Sequence, residues 1–325
     1  MERKELLELL RQGRYITGEE IGRRLYVTRA AVSKAVARLR REGCVIRSAP
    51  NRGYLLVSEP DRLSAEVIRS ELGDHPWAEL VQVLPLVDST NNCVKTLAAQ
   101  GAPEGTALLA ERQSAGRGRL GRSFDSPEGG GIYLSVLLRP GCPPAELMTL
   151  TAQAAVAVSR AVARVCGVTP EIKWVNDLLL GGKKICGILT ELTFEAESAL
   201  VDAAVVGVGI NCNRQAEDFP PQLQSIAGSI LSQTGKPVDR NRLAAQMLRE
   251  LSRLPALDWQ EDYRRLCVNL GRRVRIISPG AAECPEGIAE DVGPEAQLLV
   301  RLKDGSLYSV AAGEVSLRSP EEQEG

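Results

Sequence analysis

The ten residues Gln113-Ser-Ala-Gly-Arg-Gly-Arg-Leu-Gly-Arg122 constrain this chain more than any other stretch. Arg117, Arg119 and Arg122 alternate with Gly116, Gly118 and Gly121. Each guanidinium is a fixed cation with a planar donor fork suited to phosphate or carboxylate. Each glycine lets the backbone take unusual dihedrals and pack close to a ligand, at an entropic cost when it orders. A segment of this composition is expected to be mobile when empty and ordered around an anion, as a lid over a phosphate-bearing substrate is. Taken by itself, it also fits a solvated charged loop.

The same residues match G-x-G-x-x-G from Gly116 to Gly121, the dinucleotide fingerprint, which needs a strand directly before it and a helix directly after. A strand reading at Thr106–Ala110 is separated from it by Glu111–Ala115. The following Ser123–Gly131 contains Pro127 and three glycines and cannot be a helix. The dinucleotide reading is therefore set aside, and no G-x-x-x-x-G-K-[ST] loop exists elsewhere.

A length of 325 residues implies two or three domains. With 44% hydrophobic and 25% charged residues, the composition is that of a soluble globular protein. Apolar runs such as Ala203–Gly209 are too short to span a bilayer, and Met-Glu-Arg-Lys-Glu is no signal peptide. A cytoplasmic protein without membrane association is expected. The eight cysteines form no C-x-x-C pair, and His75 is the single histidine, so neither a zinc site nor a disulfide framework is expected. Histidine-dependent triads are likewise disfavoured, His75 lying in a turn-like stretch beside Pro76.

Charge is unevenly spread. Residues 1–60 carry 13 Lys/Arg against 7 Asp/Glu, whereas the remainder carries 27 against 34. A small basic module joined to a larger acidic one suits a nucleic-acid-binding domain fused to an enzyme or effector domain. Within the basic module, Lys4–Leu10 has helical leucine spacing. Thr17-Gly-Glu-Glu20 reads as a capping box opening a short helix. Thr28 then caps a second helix, with Val32, Val36 and Leu39 as its buried stripe. Arg29, Ser33, Lys34, Ala37 and Arg40 or Arg41 lie on the opposite side, where a major-groove reader presents short polar and basic side chains. Cys44–Val57 reads as two strands around Pro50-Asn-Arg-Gly53, a wing with Arg47 and Arg52 placed for backbone contact. A winged helix-turn-helix that binds DNA through Thr28, Arg29, Ser33, Lys34, Arg47 and Arg52 is the result. A structural helical domain with a solvated basic face is the competing reading.

Beyond Glu59-Pro60-Asp61 the character changes. Val83–Val87 reads as a strand, and Cys93–Gln100 as a helix, with Ser89, Thr90 and Asn91 at their junction. That polar cluster suits either a helix cap or a ligand head group, and a cap is the simpler role. Gly131–Leu138 is an apolar strand and Ala145–Cys166 a long Ala/Val-rich helix. Glu171–Leu180 and Lys183–Leu192 read as a hairpin with Gly181-Gly182 at its tip, setting Lys173, Asn176 and Asp177 near one end and Lys184 on the returning strand. Val205–Asn211 is a buried strand whose glycines permit close approach. A lysine among apolar neighbours calls for an anion. Cations, amides and small polar groups around a glycine lid equip a site for positioning and charge stabilisation, as in adenylyl or phosphoryl transfer. Asp177 suits a metal or the positioning of a nucleophile.

These motifs resemble those of the two-function biotin protein ligases, the biotin–acetyl-CoA-carboxylase ligase and biotin operon repressor family, over essentially the whole chain. Gly116-Arg-Gly-Arg-Leu-Gly-Arg122 resembles its G-R-G-R-x-G-R loop, Lys173-Trp-Val-Asn-Asp177 its K-W-P-N-D motif, Lys184–Leu189 its K-x-x-G-I-L strand and Gly207–Asn211 its G-I-G-I-N strand. The resemblance implies synthesis of biotinyl-5′-AMP from biotin and MgATP, then transfer to a lysine of the biotin carboxyl carrier protein. It assigns biotin to Ser89, Thr90, Asn91, Gln113, Arg117, Gly118, Arg119 and Lys184. The nucleotide goes to Arg119, Arg122, Phe124, Lys173, Asn176, Asp177, Ile188 and Asn211. Lys184, Arg119, Lys173 and Asp177 are the expected catalytic set, with no metal-ligating cluster of the protein's own.

Two positions depart from the family pattern. Val175 replaces a proline, which changes rigidity but removes no functional group. Phe124 stands where an aromatic, often tryptophan, packs on the nucleotide. The resemblance further implies a multidomain α+β chain: a winged helix-turn-helix at 1–62, a class II synthetase-like mixed α/β catalytic domain at 63–269, a small SH3-like β barrel at 270–318 and an acidic tail at 319–325. Barrel strands are expected at 273–278, 287–291, 297–303 and 307–311. Adenylate binding is expected to promote homodimerisation and operator DNA binding. Two other readings remain open, a transcription factor with an inactive ligand-sensing ligase domain and a lipoate–protein ligase.

Overall fold

A computed structural model describes residues 3–41, 43–58, 61–194, 200–277, 285–311 and 314–317. The chain divides into two compact units, Met1–Asp61 and Arg62–Gly325. The expected acidic tail, Cys284, Glu59 and Pro60 lie outside the described residues.

In the first unit, helices α1 (Arg3–Leu10), α2 (Gly18–Arg24) and α3 (Arg29–Arg41) precede a hairpin of β1 (Val45–Ala49) and β2 (Gly53–Ser58). Leu6, Leu7 and Leu10 meet Ile21, Val32, Val36 and Leu39 in one core. The Thr17 hydroxyl accepts from the Glu20 N–H at 3.1 Å and the Thr28 hydroxyl from the Ala31 N–H at 3.2 Å, so both expected caps form. The expected box is not completed in the same way: the Glu20 carboxylate pairs with Arg14 at 2.8 Å and Arg24 at 3.0 Å.

The second unit is built on a seven-stranded sheet of β3 (Val81–Leu84), β4 (Ala107–Ala110), β5 (Gly131–Leu138), β6 (Glu171–Lys173), β7 (Asp177–Leu180), β8 (Lys183–Phe194) and β9 (Val201–Asn211). The order is β3-β4-β5-β9-β8-β7-β6, parallel only between β3 and β4. Helices α4 (Ala65–Leu72), α5 (Thr90–Ala99), α6 (Leu150–Cys166), α7 (Ile230–Thr234), α8 (Arg240–Leu251) and α9 (Gln260–Leu266) complete it. Alternate residues of the strands enter different cores. Leu108, Ala110, Leu137 and Val205 pack with Val94 and Ala98 of α5. Ala107, Leu109, Val136 and Val206 pack in the core that holds α6 and α8. Both faces are covered, which is why β5 reads as an unbroken apolar run rather than an alternating one.

Three elements differ from expectation. The helix expected over 145–166 is a short 3₁₀ turn, Pro144–Leu147, followed by α6. The strand expected over 171–180 reverses at Trp174–Asn176, so that β6 pairs antiparallel with β7 and the hairpin of β7 and β8 is a second turn. The Trp174–Val175 peptide within that reversal is cis. After α9 come β10 (Arg273–Ile277), β11 (Glu286–Val292), β12 (Leu298–Leu302), β13 (Leu307–Val310) and β14 (Glu314–Leu317). They form an antiparallel five-stranded sheet in the order β13-β12-β11-β10-β14. Among the described residues β13 and β14 are the two edges, so no closed barrel forms where an SH3-like one was expected. The segment before β10 and the connection from β11 to β12 hold the reversal: the Trp174 indole N–H donates to the Ala296 carbonyl at 2.8 Å, and the Trp174 amide to Asn269 Oδ1 at 2.8 Å. Among the described residues, no helix is long and apolar enough to cross a membrane.

Candidate functional site

The loop 113–122, the start of α5 and the strands β7, β8 and β9 enclose one cavity. Its floor is bare backbone. Gly187 of β8 pairs in register with Gly209 of β9, and Leu189 with Gly207. A Cβ on Gly207 would lie 2.1 Å from Asn91 Oδ1, and one on Gly209 would lie 2.6 Å from the Phe124 ring. Neither position accepts a side chain without displacing a group that lines the cavity.

At one end of the cavity the polar residues are tied to each other. Ser89 is the N-cap residue of α5 by position, but its side chain makes no cap hydrogen bond. The simpler capping role is thereby corrected: Ser89, Thr90 and Asn91 are buried and line the cavity. Gln113 Oε1 accepts from the Thr90 N–H at 2.8 Å, and its Nε2 donates to Ser126 at 2.9 Å. The buried Ser135 hydroxyl lies 2.7 Å from the Thr90 hydroxyl and 2.6 Å from Asn91 Oδ1. Such a network holds its donors and acceptors in fixed directions before a ligand arrives.

At the other end the groups are charged. Lys184 Nζ stands 2.7 Å from Asp177 Oδ1. Asn176 Nδ2 donates to the Ile188 carbonyl at 3.0 Å, and Asn176 Oδ1 accepts from Arg119 at 3.1 Å. Lys173 and Arg122 line the same space. Tyr263, beneath the reversal, donates to the Val175 carbonyl at 3.2 Å, and burial raises its phenol well above the ordinary value.

The glycine–arginine loop folds back on itself. Gly118 N–H donates to the Arg122 carbonyl at 2.7 Å and Phe124 N–H to the Gly116 carbonyl at 2.9 Å, with Arg119–Gly121 as a 3₁₀ turn at the tip. Gly116 has no space for a side chain, since its Cβ would meet the Phe124 carbonyl at 2.4 Å. Arg117 reaches Asn92 Oδ1 at 3.1 Å and Glu191 at 3.4 Å. Burial would raise the Glu191 carboxyl, but hydrogen bonds from Asn91 and Lys95, with the Arg117 charge, hold it below its ordinary value. Asn92 in turn donates to Asp88 at 2.8 Å, the main cause of the lowered Asp88 pKa.

In the first unit, Arg29, Ser33 and Lys34 are exposed along α3, and Arg47 is exposed on β1. Arg52 is exposed at the hairpin turn, its guanidinium 4.4 Å from the centre of the Tyr15 ring. Arg40 is turned to the hairpin, donating to the Ile46 carbonyl at 2.6 Å.

The model of the biotin/lipoate A/B protein ligase family matches residues 83–211, and that of an HTH domain matches residues 2–55. The bifunctional ligase/repressor BirA of Bacillus subtilis (strain 168) is 39% identical over 240 residues, 73% of this chain and 73% of the relative. That of Escherichia coli (strain K12) is 33% identical over 324 residues, 98% of this chain and 97% of the relative. The chain belongs to the bifunctional ligase/repressor family of biotin protein ligases. Among solved structures, the biotin protein ligase from Aquifex aeolicus in complex with biotin and ATP matches with a TM-score of 0.61 and 30% identity. That match covers 73% of this chain and 98% of the other.

Every ligase-site residue named from the sequence of this family member lines the cavity except Asn211. Asn211 is buried at the end of β9 and donates to the Gly228 carbonyl at 3.0 Å. His75 is remote from the ligase cavity, 3.0 Å from the Ser252 hydroxyl, with its pKa lowered by burial and by Arg249. Sequence reasoning missed Glu191, Asn92 and Ser135, which orient Arg117, Asn91 and Thr90. The signal for Glu191 was present: a charged residue inside the strand run Ile188-Leu-Thr-Glu-Leu192, where the other members are apolar or threonine.

Proposed function

We propose that the second unit is an ATP-dependent biotin–protein ligase and that the first makes the same chain a biotin-responsive repressor. The observation that carries the enzymatic reading is one cavity holding two kinds of recognition. A neutral hydrogen-bonding end, Ser89, Thr90, Asn91 and Gln113, suits the biotin head group. A cationic end, Lys184, Lys173, Arg119 and Arg122, suits a carboxylate beside a triphosphate. The Aquifex aeolicus ligase, a relative in fold and sequence, has biotin and ATP together.

In the first step a biotin carboxylate oxygen attacks the ATP α-phosphorus and pyrophosphate leaves. In the second, a lysine ε-amine of the biotin carboxyl carrier protein attacks the biotinyl carbonyl, AMP leaves and the amine loses its proton. Lys184, held by Asp177, and Arg119, held by Asn176, offset charge that builds on the α-phosphoryl oxygens. Arg117 and Gly118 close over biotin, while Phe124 and Ile188 provide apolar surface for the nucleotide. Asn211 acts from behind through the loop at Gly228. Magnesium enters as the ATP complex. Among the described residues no group of three or more His, Cys, Asp or Glu stands ready for a metal. Asp177 is the carboxylate lining the cavity, which fits an ion held mainly by phosphates and water.

The catalytic domain is assigned to 63–269 and a small C-terminal β domain to 270–318, whose Ala296 carbonyl buttresses Trp174. The DNA-reading face is α3 with Thr28, Arg29, Ser33 and Lys34, flanked by Arg47 and Arg52, and the DNA-bound form is an adenylate-loaded homodimer.

Purified protein should catalyse biotin-dependent exchange of pyrophosphate into ATP and label a carrier domain, with lipoate supporting neither. It should shift DNA upstream of its own or biotin-synthesis genes when biotin and ATP are present. Biotin binding without exchange would leave only a sensor, and exchange without any DNA shift would leave only an enzyme.

A further inference from the structure

The turn between α2 and α3 contains an outlier that neither the ligase chemistry nor the recognition helix explains. Tyr26 has φ +53° and is 96% exposed. A left-handed backbone is sterically unfavourable for a residue with a Cβ, and turns of this motif often use glycine. The turn fixes that conformation. Leu25 N–H donates to the Ile21 carbonyl at 3.0 Å, and Val27 N–H to the Gly22 carbonyl at 2.9 Å. Gly22 is pressed so close that a Cβ there would lie 2.7 Å from the Val27 carbonyl. Val27 and Leu25 pack on the core while Tyr26, between them, is thrown outward. Among the described residues its side chain makes no hydrogen bond or ring contact. A large aromatic in a strained, fully solvated position gains nothing in the free protein.

Its surroundings indicate what it meets. Arg23 and Arg24 end α2 and Arg29 opens α3, so arginines lie within three residues of Tyr26 on both sides in the chain. The pairs Arg23–Glu19 and Arg24–Glu20 are surface pairs of small net worth, easily exchanged for phosphate. We propose that Tyr26 is a DNA contact, its hydroxyl donating to a backbone phosphate beside the groove that α3 enters. The proposal rests on the repressor reading and adds to it a neutral anchor that sets the register of α3 on the duplex.

The test uses the full-length chain with biotin and ATP, and two labelled duplexes, one from upstream of its own gene and one scrambled. Affinity is measured by fluorescence anisotropy over a salt series for Y26F, Y26G and Y26N. Loss of one hydroxyl hydrogen bond to a charged phosphate should weaken both duplexes at least about tenfold in Y26F, and at least as much in Y26G and Y26N. The salt slope should not change, because a hydroxyl displaces no counterion, whereas Arg29→Ala should lower the slope by about one. Amide exchange in α2 and α3 should be no faster in Y26G or Y26N than in the parent, which excludes unfolding as the cause. Wild-type affinity in Y26F overturns the contact while leaving the repressor reading intact. Failure of the parent protein to bind either duplex overturns both, and is recognised before any variant is made.

Discussion

The Lys184 ammonium and the Asp177 carboxylate face each other at 2.7 Å across the antiparallel strands β8 and β7. The pair sits in the ligase cavity, partly open to water, with Lys184 against the bare backbone of Gly187. A lysine held by one carboxylate keeps its position, yet can turn to a substrate oxygen that arrives. Lys184→Ala should therefore slow biotin-dependent pyrophosphate exchange about 10²- to 10³-fold with the fold intact by circular dichroism. Asp177→Asn should cost less than Lys184→Ala. Equal exchange in Lys184→Ala and the parent would remove the lysine from the chemistry.

Arg119 belongs to the loop and is anchored on Asn176 of the opposite wall. Arg119→Gly should let the adenylate escape before transfer, so that bystander proteins become labelled on lysines. Mass spectrometry of a mixture of carrier domain and albumin reads this directly, and retained carrier selectivity would contradict it. Asn176→Ala should give a weaker form of the same leak.

Gly207 and Asn91 meet with no space between them. Gly207→Ala should push Asn91 off Ser135 and Glu191, costing about 1–3 kcal/mol in urea unfolding and weakening biotin binding more than ATP binding. Isothermal titration with each ligand separates the two effects.

Glu111 and Arg240 form a buried ion pair at 3.0 Å, Arg240 being fully enclosed. Glu111 also accepts from the Leu63 N–H at 2.5 Å, and Arg240 donates to the Gly131 carbonyl at 2.8 Å. Removing either partner by Glu111→Ala or Arg240→Ala strands a buried charge and should destabilise the second unit by about 3–5 kcal/mol. The Glu111→Ala, Arg240→Ala double variant should lose less than the two single losses added together, as read in a double-mutant cycle.

Glu191 sets a pH limit on the loop. Its folded carboxyl is held below the ordinary 4.5, so its stabilising contribution is present above that value and is lost as pH falls through the lower folded one. Between neutrality and pH 5 the Arg117 anchor should hold, and below about 4.5 it should progressively release. In Glu191→Gln the acid-dependent part of loop protease sensitivity should disappear, with higher sensitivity already at pH 7.

Much of this was legible in the sequence because the residues concerned carry their own signals. Thr17 and Thr28 announce helix starts, and the unbroken apolar run Gly131–Leu138 announces a sheet covered on both faces. The arginine loop, Lys173 and Lys184 were nameable because glycine, arginine and lysine are costly in a core without a reason, whereas Ser89, Thr90, Asn91 and Gln113 were named only through the family resemblance. Other features were not legible. Trp174 and Val175 are good strand residues, so the reversal there is imposed from a distance, by Asn269 and Ala296. Ser89 has the chemistry of a cap, and only the fold decides that its side chain serves the cavity instead. Strand β14 is four residues long and gains its identity from β10 alone.

The floor of Gly187, Gly207 and Gly209 has an evolutionary implication. Glycine is already the smallest residue, so no substitution there can deepen the site; each can only make it shallower. Descendants of this protein that accept bulkier acids must change the opposite wall, at Phe124 or along the arginine loop. Selection for a broader substrate range therefore has one route open and one closed, and libraries directed at the three glycines should yield narrower enzymes or none.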